Sequence, residues 1–323
     1  MYRFKQQILL TAALLLTLTA CGGGDTAAKN TATTSVAVFD GAAIGCSVSS
    51  AGTTATEVGD GAYTFATVLD AGTIVTATGC TDTDTQSLLP TLSGIVQSGA
   101  VVISPITTLI VEAAIVNDVA AKGADLRTDA KSISVTALQA AIAQIVANLG
   151  LGDYQPTDPA TANYVAAAKA DTTGTSTAAV AQRISLAMSI LLKSIEVSAG
   201  PANASAAVTA VSQAIVNSLS VVDLTQTTGI AAVMTAAQTI AQIETASIDQ
   251  IQTVSEAIKI LVNTIINTTG DITLAIETTT IIANFLNTAD ETAITNTATL
   301  TELVLIVAPS CALGTSVLGG CKP

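Results

Sequence analysis

The residues best suited to chemistry in this chain are acidic and cluster in one short segment. Asp82 and Asp84 belong to the sequence TDTDT at 81–85. Three further carboxylates precede them in the same stretch of chain, Asp40, Asp60 and Asp70. Carboxylate oxygens at loop tips are ligands that Ca²⁺ prefers, although the segment lacks the EF-hand pattern and a bidentate Glu. Solvated turn residues are the simpler interpretation, and Asp82 and Asp84 are the candidate metal ligands.

The residue types that are missing exclude many other functions. The 323 residues include no His and no Trp, so Ser-His-Asp and Cys-His catalysis and His-ligated metals are impossible. All 24 Asp and Glu lie beyond residue 21, against 9 Lys and Arg there, a formal charge of −15. Nucleic acid and anionic membranes are therefore unsuitable electrostatic partners. No GxSxG or GxxxxGK motif occurs, and we predict neither enzymatic activity nor a cofactor.

The N-terminus has the pattern of an export signal. Arg3 and Lys5 precede an apolar run at 8–20, which is followed by Cys21. About 13 apolar residues are too few to cross a bilayer, which needs about 20. A basic tip, a short apolar run and small residues predict a secretory signal peptide at 1–20.

The end of this segment carries a more specific pattern. Leu18, Thr19, Ala20 and Cys21 resemble the lipobox of bacterial lipoproteins, a Leu and two small residues before an invariant Cys. The resemblance implies cleavage before Cys21 and acylation of its thiol and its new amino group. Because Gly22 rather than Asp follows the Cys, the same resemblance implies an outer-membrane location. Residues 22–35 are rich in Gly, Thr and Ala and are predicted to be a flexible tether.

Four cysteines remain once Cys21 carries lipid, namely Cys46, Cys80, Cys311 and Cys321. An even number in an exported protein predicts two disulfides, and four cysteines allow three pairings. We favour Cys46 with Cys80, inside one β-rich segment, and Cys311 with Cys321, inside the C-terminal tail. Zinc is a poor alternative because the spacing is not CxxC and no His completes a site.

Residues 36–102 have the pattern of short strands and turns. β-branched segments alternate with Gly, Asp and Thr, at the spacing of a small β-sandwich. The dipeptides at 40–41 and 60–61 are Asp-Gly, which predicts turns whose Gly tolerates positive φ. Tyr63 and Phe65 lie two residues apart, hence on one face of a strand, and are predicted core residues.

Four features of this region occur together in one known module. An early Asp-Gly precedes a strand of small residues, and a second Asp-Gly leads into the aromatic strand. A Gly-containing Thr-Asp segment follows at 79–82, and Ser-Pro-Ile-Thr-Thr-Leu at 104–109 enters the helices. Over about 75 residues this pattern resembles the immunoglobulin-like or carboxypeptidase-regulatory-like β-sandwich of exported bacterial surface lipoproteins and adhesins. The resemblance implies a fold rather than an activity, and it does not account for Cys46 and Cys80.

Beyond Ser104 the pattern is helical. Ser104 is predicted to cap a helix with Pro105 at its first position, ending near Gly123. Apolar residues at spacings of three and four predict further helices at 135–149, 160–170, 177–197, 202–219, 229–243, 248–266, 272–286 and 300–307. An irregular bundle is favoured over a solenoid. Tyr154 and Tyr164 flank a linker, where they cover helix ends or gate a groove.

These patterns together predict an α+β multidomain protein. Its expected parts are a signal peptide at 1–20, a lipidated tether at 21–35, a β-sandwich at 36–103, an all-α helical bundle or array at 104–308 and a disulfide-stapled tail at 309–323. The predicted role is structural or adhesive, in a non-enzymatic protein anchored in the outer membrane through Cys21 that contacts a protein or polymer. The alternative is an envelope carrier that binds a hydrophobic small molecule or lipid in the helical domain. Cell-surface and periplasmic orientations are both compatible with the sequence.

Overall fold

The computed structural model describes residues 33–122, 132–158, 162–199, 204–218, 222, 233 and 272–288, all within one compact unit. Over these residues the chain is mixed α+β, with the strands preceding the helices. The strands are β1 (Thr34–Val38), β2 (Ala43–Ile44), β3 (Ser47–Ser50), β4 (Thr53–Thr54), β5 (Thr56–Gly59), β6 (Ala62–Phe65), β7 (Ile74–Thr78), β8 (Thr81–Asp82), β9 (Leu92–Ile95) and β10 (Ala100–Ile103). The helices are α1 (Pro105–Lys122), α2 (Val135–Asn148), α3 (Tyr164–Ala170), α4 (Thr177–Ala199), α5 (Ala204–Val216) and α6 (Thr273–Thr288).

The strands form two four-stranded sheets and one two-stranded ribbon. The first sheet has the order β10-β1-β6-β5, the second has the order β4-β3-β7-β9, and β2 pairs with β8. Side chains alternate along the strands, so that each sheet turns one face inward. Tyr63 and Phe65 are both buried, as the sequence predicts. They share an apolar core with residues of both sheets, including Val36, Ile103, Val48, Val75 and Leu92.

Helix α1 begins where the last strand ends because its first turn is capped. The Ser104 Oγ accepts the Thr107 N–H at 3.2 Å, and the Thr107 Oγ1 accepts the Ser104 N–H at 2.7 Å. The predicted cap at Ser104 and start at Pro105 are therefore confirmed. Ile106, Leu109 and Ile110 are fully buried. The helices share their core with residues from the strand region, Phe39, Ile95 and Val102.

The other described helices follow the sequence prediction with shifted ends. Helix α2 ends at Asn148, and Gly150 follows with φ 65°, a conformation that suits glycine. Helix α3 begins at Tyr164 rather than at 160, after Asn163 at the N-cap position. The predicted helices at 248–266 and 300–307, that at 229–243 apart from residue 233, the signal peptide, most of the tether and the tail lie outside the described residues. No helix in the described ranges is long and apolar enough to cross a membrane.

Candidate functional site

The short ribbon of β2 and β8 brings the candidate residues together. The two strands run antiparallel, with Ala43 opposite Asp82. The ribbon therefore has two ends: Cys46 and Cys80 lie beyond one of them, and Asp40 lies beyond the other. The pairing of β2 with β8 therefore fixes the positions of the two cysteines and of Asp40. We call the first the disulfide end and the second the acid end.

The disulfide end is closed by a covalent bond and a tyrosine. Cys46 and Cys80 form a disulfide, which confirms the favoured pairing. The Tyr63 hydroxyl donates to the Ala43 carbonyl at 3.0 Å and accepts the Cys46 N–H at 3.1 Å. Burial raises the pKa of Tyr63, so the phenol stays neutral and can donate. Cys21, Cys311 and Cys321 lie outside the described residues, and their predicted roles stay predictions.

At the acid end, Asp82 is an interior residue. Its side chain is 1% exposed, so the interpretation of a solvated turn is wrong here, whereas Asp60 and Asp70 are exposed. The Asp82 Oδ1 accepts the Asp84 N–H at 2.8 Å, and its Oδ2 accepts the Thr85 hydroxyl at 3.0 Å. These local bonds turn the carboxylate inward although the sequence around it is polar. Burial raises the pKa of Asp82.

Asp84, in the same loop, is half-buried. Its Oδ1 pairs with the Lys169 Nζ of α3 at 2.5 Å, and the lysine side chain is 46% exposed. The ion pair joins the β8 loop to a helix that lies 85 residues further along the chain. Its Oδ2 is buried and has no hydrogen-bond partner.

Gly41 allows the two carboxylates to approach the backbone. A Cβ atom at this position would lie 2.1 Å from the Asp82 Oδ1 and 2.9 Å from the Asp84 Oδ2. The predicted turn at Asp40 and Gly41 is present, but Gly41 does not adopt a positive φ. Gly61 does have the predicted conformation, with φ 70°. At Gly41 the missing side chain itself is the requirement.

Asp40 is as deeply buried as Asp82, at 1% exposed. Its Oδ2 accepts a hydrogen bond from the Ser189 hydroxyl, and its backbone carbonyl accepts the Gln182 Nε2 at 2.7 Å. Its Oδ1 has no partner. Burial, together with the charge of Asp82, raises the pKa of Asp40 to about 7, although Ser189 and Ser185 oppose the shift.

The sequence analysis missed the helix residues of this site. Gln182, Ser185, Ser189 and Lys193 lie at spacings of three and four in α4, so they share one face of the helix. Of these, Gln182, Ser185 and Ser189 are buried. This polar stripe is a signal that the sequence contains, but its partner, Asp40, lies more than 140 residues away.

A small pocket lies between the ribbon and helices α4 and α6. It is lined by Asp40, Asp82, Thr85, Ser87, Ser189, Lys193 and Thr279, with Leu88, Leu89, Pro90, Ile190 and Ala283 beside them. The empty space is about 270 Å³ when the open mouth of the pocket is included. The volume open to the centre of a water molecule is much smaller, about 10 Å³. That is room for one water or one ion.

Tyr154 and Tyr164 belong to the core rather than to a gate. Both are buried, and Tyr164 packs edge-on against Phe39 and Tyr154, with ring centroids 5.3 Å and 5.6 Å away. The Tyr164 hydroxyl donates to the Ser185 hydroxyl, and the Tyr154 hydroxyl donates to the Ala162 carbonyl at 2.7 Å. Burial raises the pKa of both phenols. Their burial in an aromatic cluster argues against a gate, whereas Tyr164 does lie at a helix end, as the first residue of α3.

The acid end does not contain a ready-made carboxylate cage. Within the described ranges, no group of three or more Asp, Glu or Cys side chains is arranged to hold a metal ion. The assignment of Asp82 and Asp84 to a metal therefore stays a prediction. No family model matches the chain, no curated protein sequence matches it, and no solved structure matches it.

Proposed function

We propose that this protein is a non-enzymatic lipoprotein of the bacterial outer membrane with a structural or adhesive role. The observation that carries the proposal is the Cys46–Cys80 disulfide, since disulfides persist in oxidising compartments outside the cytoplasm. The lipobox-like residues 18–21 supply the export route and the anchor. Lipid on Cys21 gives this chain a membrane attachment without a spanning helix.

The proposal includes an immunoglobulin-like β-sandwich followed by a helical bundle. Support comes from the two four-stranded sheets, whose inward residues share one core. The aromatic residues Tyr63 and Phe65 lie in that core, where the resemblance places an aromatic strand.

A structural role is supported by the way the helices are fastened to the strands. Phe39, Ile95 and Val102 lie in the core of the helices, and Gln182 and Ser189 bind Asp40 beside the ribbon. Apolar burial and directional hydrogen bonds together favour one fixed arrangement of strands and helices. A rigid body of this kind suits a scaffold or a platform that holds a partner away from the membrane.

The carrier alternative finds no support in the pocket at the acid end. Its lining contains two carboxylates and several hydroxyl groups, and it has room for about one water molecule. A lipid or an apolar small molecule needs a larger and less polar cavity.

The first test is acylation of the full chain in a Gram-negative host fed with an alkyne-tagged fatty acid. We expect label on the wild-type protein and no label on Cys21→Ser, because that thiol receives the lipid. Cys46→Ser is the matched control and retains the label. An unlabelled wild-type protein, or equal label on Cys21→Ser, contradicts the anchor.

The second test distinguishes the adhesive role from the structural one. Intact cells are treated with protease, and the helical region is detected by antibody with a periplasmic protein as leakage control. Loss of the region while the control survives supports adhesion. Protection until the outer membrane is opened contradicts adhesion and leaves the scaffold role.

A further inference from the structure

We propose that the pocket at the acid end binds one Ca²⁺ ion, held by the carboxylates of Asp40 and Asp82. The inference does not depend on the lipoprotein assignment. It rests on the chemistry of the pocket lining and on one unsatisfied oxygen.

The unsatisfied oxygen is the Asp40 Oδ1. Asp40 is 1% exposed, lines the pocket, and has no partner for this atom. Buried polar atoms in native proteins nearly always have a partner, so an isolated one points to a bound species. Because the atom belongs to an acid beside a second buried acid, Asp82, the species that satisfies it best is a cation.

Apart from Lys193, the polar residues of the lining offer oxygen ligands to such a cation, and the remaining lining residues are apolar. Two carboxylates are accompanied by the hydroxyl groups of Thr85, Ser87, Ser189 and Thr279. Two negative charges balance one divalent ion. Ca²⁺ accepts six to eight oxygen ligands in irregular geometry, whereas Mg²⁺ demands a near-octahedral set. With two carboxylates rather than three, hydroxyl groups and water at the open mouth must complete the shell.

Two lysines lie near the acid end, and only one of them lines the pocket. Lys169 pairs with Asp84 on the outer side of the β8 loop and does not line the pocket. Lys193 does line the pocket, so its positive charge opposes the binding of a cation there. Removal of the Lys193 charge is therefore expected to strengthen Ca²⁺ binding.

The ribbon holds the two carboxylates in place before an ion binds. Asp82 is fixed by the Asp84 N–H and the Thr85 hydroxyl, and Asp40 is fixed by Ser189 of α4. The Cys46–Cys80 disulfide closes the other end of the same ribbon. Preorganised ligands lose little freedom on binding, which favours affinity.

The test is equilibrium dialysis of ⁴⁵Ca²⁺ with the full-length protein in detergent at pH 8, together with thermal melting followed by circular dichroism. We expect one ion per chain and a melting temperature that rises with Ca²⁺, because the ion binds only the folded state. Asp40→Asn and Asp82→Asn should each weaken binding at least about tenfold. Lys193→Met should bind more tightly.

Asp60→Asn is the matched control, since it removes the same charge from an exposed turn of the same region. Equal weakening by Asp60→Asn would show diffuse attraction to an acidic surface and overturn the site. No bound ion on the wild-type chain up to about 10 mM Ca²⁺ would also overturn it, as would tighter binding of Mg²⁺. Because these wild-type results need no variant, the proposal stays testable if Asp40→Asn fails to fold.

Discussion

The two ends of the β2–β8 ribbon are held by opposite means. At the disulfide end a covalent bond is backed by the Tyr63 hydroxyl, which donates one hydrogen bond and accepts another. At the acid end Asp40 and Asp82 are buried side by side, and one oxygen of Asp40 has no partner. The first arrangement contributes stability. The second arrangement costs stability because a buried oxygen is left without a partner. A bound ion could supply that partner, and such a local loss of stability is typical of functional sites.

Removal of the disulfide should have the largest effect on this contrast. The double variant Cys46→Ala/Cys80→Ala releases a crosslink between residues 34 positions apart. Loop-closure entropy predicts a loss of about 3 to 4 kcal/mol in the free energy of unfolding. Urea denaturation of the variant against the wild-type protein measures it. A loss below about 1 kcal/mol would mean that the ribbon is held mainly by its other contacts.

Gly41→Ala should disturb the acid end and leave the disulfide end intact. The new Cβ collides with the Asp82 Oδ1, which the Asp84 N–H holds in place, so the carboxylate or the backbone must move. Overpacking of this kind typically destabilises by about 1 to 3 kcal/mol. Gly59→Ala is the matched control, because nothing lies within 4 Å of its added Cβ and its φ is not positive. Similar melting temperatures for the two variants would argue against a tight approach at Gly41.

Asp40→Asn should stabilise the protein when a chelator removes divalent ions. The folded pKa of Asp40 is raised to about 7 from 3.8, so the native state binds the extra proton between these values. Stability therefore falls as pH rises from about 4 to about 7, and it levels off above. The amide carries no charge, so we expect a gain of about 1 to 2 kcal/mol at pH 8 and less at pH 5.

Denaturation of the wild-type protein and of Asp40→Asn at both pH values checks the direction of this change in the free energy of unfolding. Asp70→Asn, a change at an exposed carboxylate, should alter neither value. If Asp40→Asn destabilises equally at pH 5 and pH 8, the carboxyl group acts as a hydrogen-bond acceptor and its burial carries no charge penalty.

The parts of this fold that the sequence predicts depend on local signals. The Ser104 cap, the alternation at Tyr63 and Phe65, and the pairing of Cys46 with Cys80 are each visible within a few residues or within one segment. The burial of Asp82 is not, because TDTDT is polar and only the loop geometry turns one carboxylate inward. Asp40 meets Ser189 across 149 residues, a contact that no local pattern contains.

Lys169→Ala should have the smallest effect and shows how little the outer ion pair adds to the acid end. Lys169 is half exposed and its partner Asp84 is more buried, at 46% and 16% of the side-chain surface. Exposed pairs typically contribute about 0.2 to 1 kcal/mol, and salt screens them. We expect a loss of about 0.5 kcal/mol at low salt that shrinks in 0.5 M NaCl, measured by thermal melting.

Lys193→Met is the companion variant, because Lys193 lines the pocket beside two buried acids. A larger loss for Lys169→Ala than for Lys193→Met would place the main charge balance outside the pocket and weaken the contrast between the two ends.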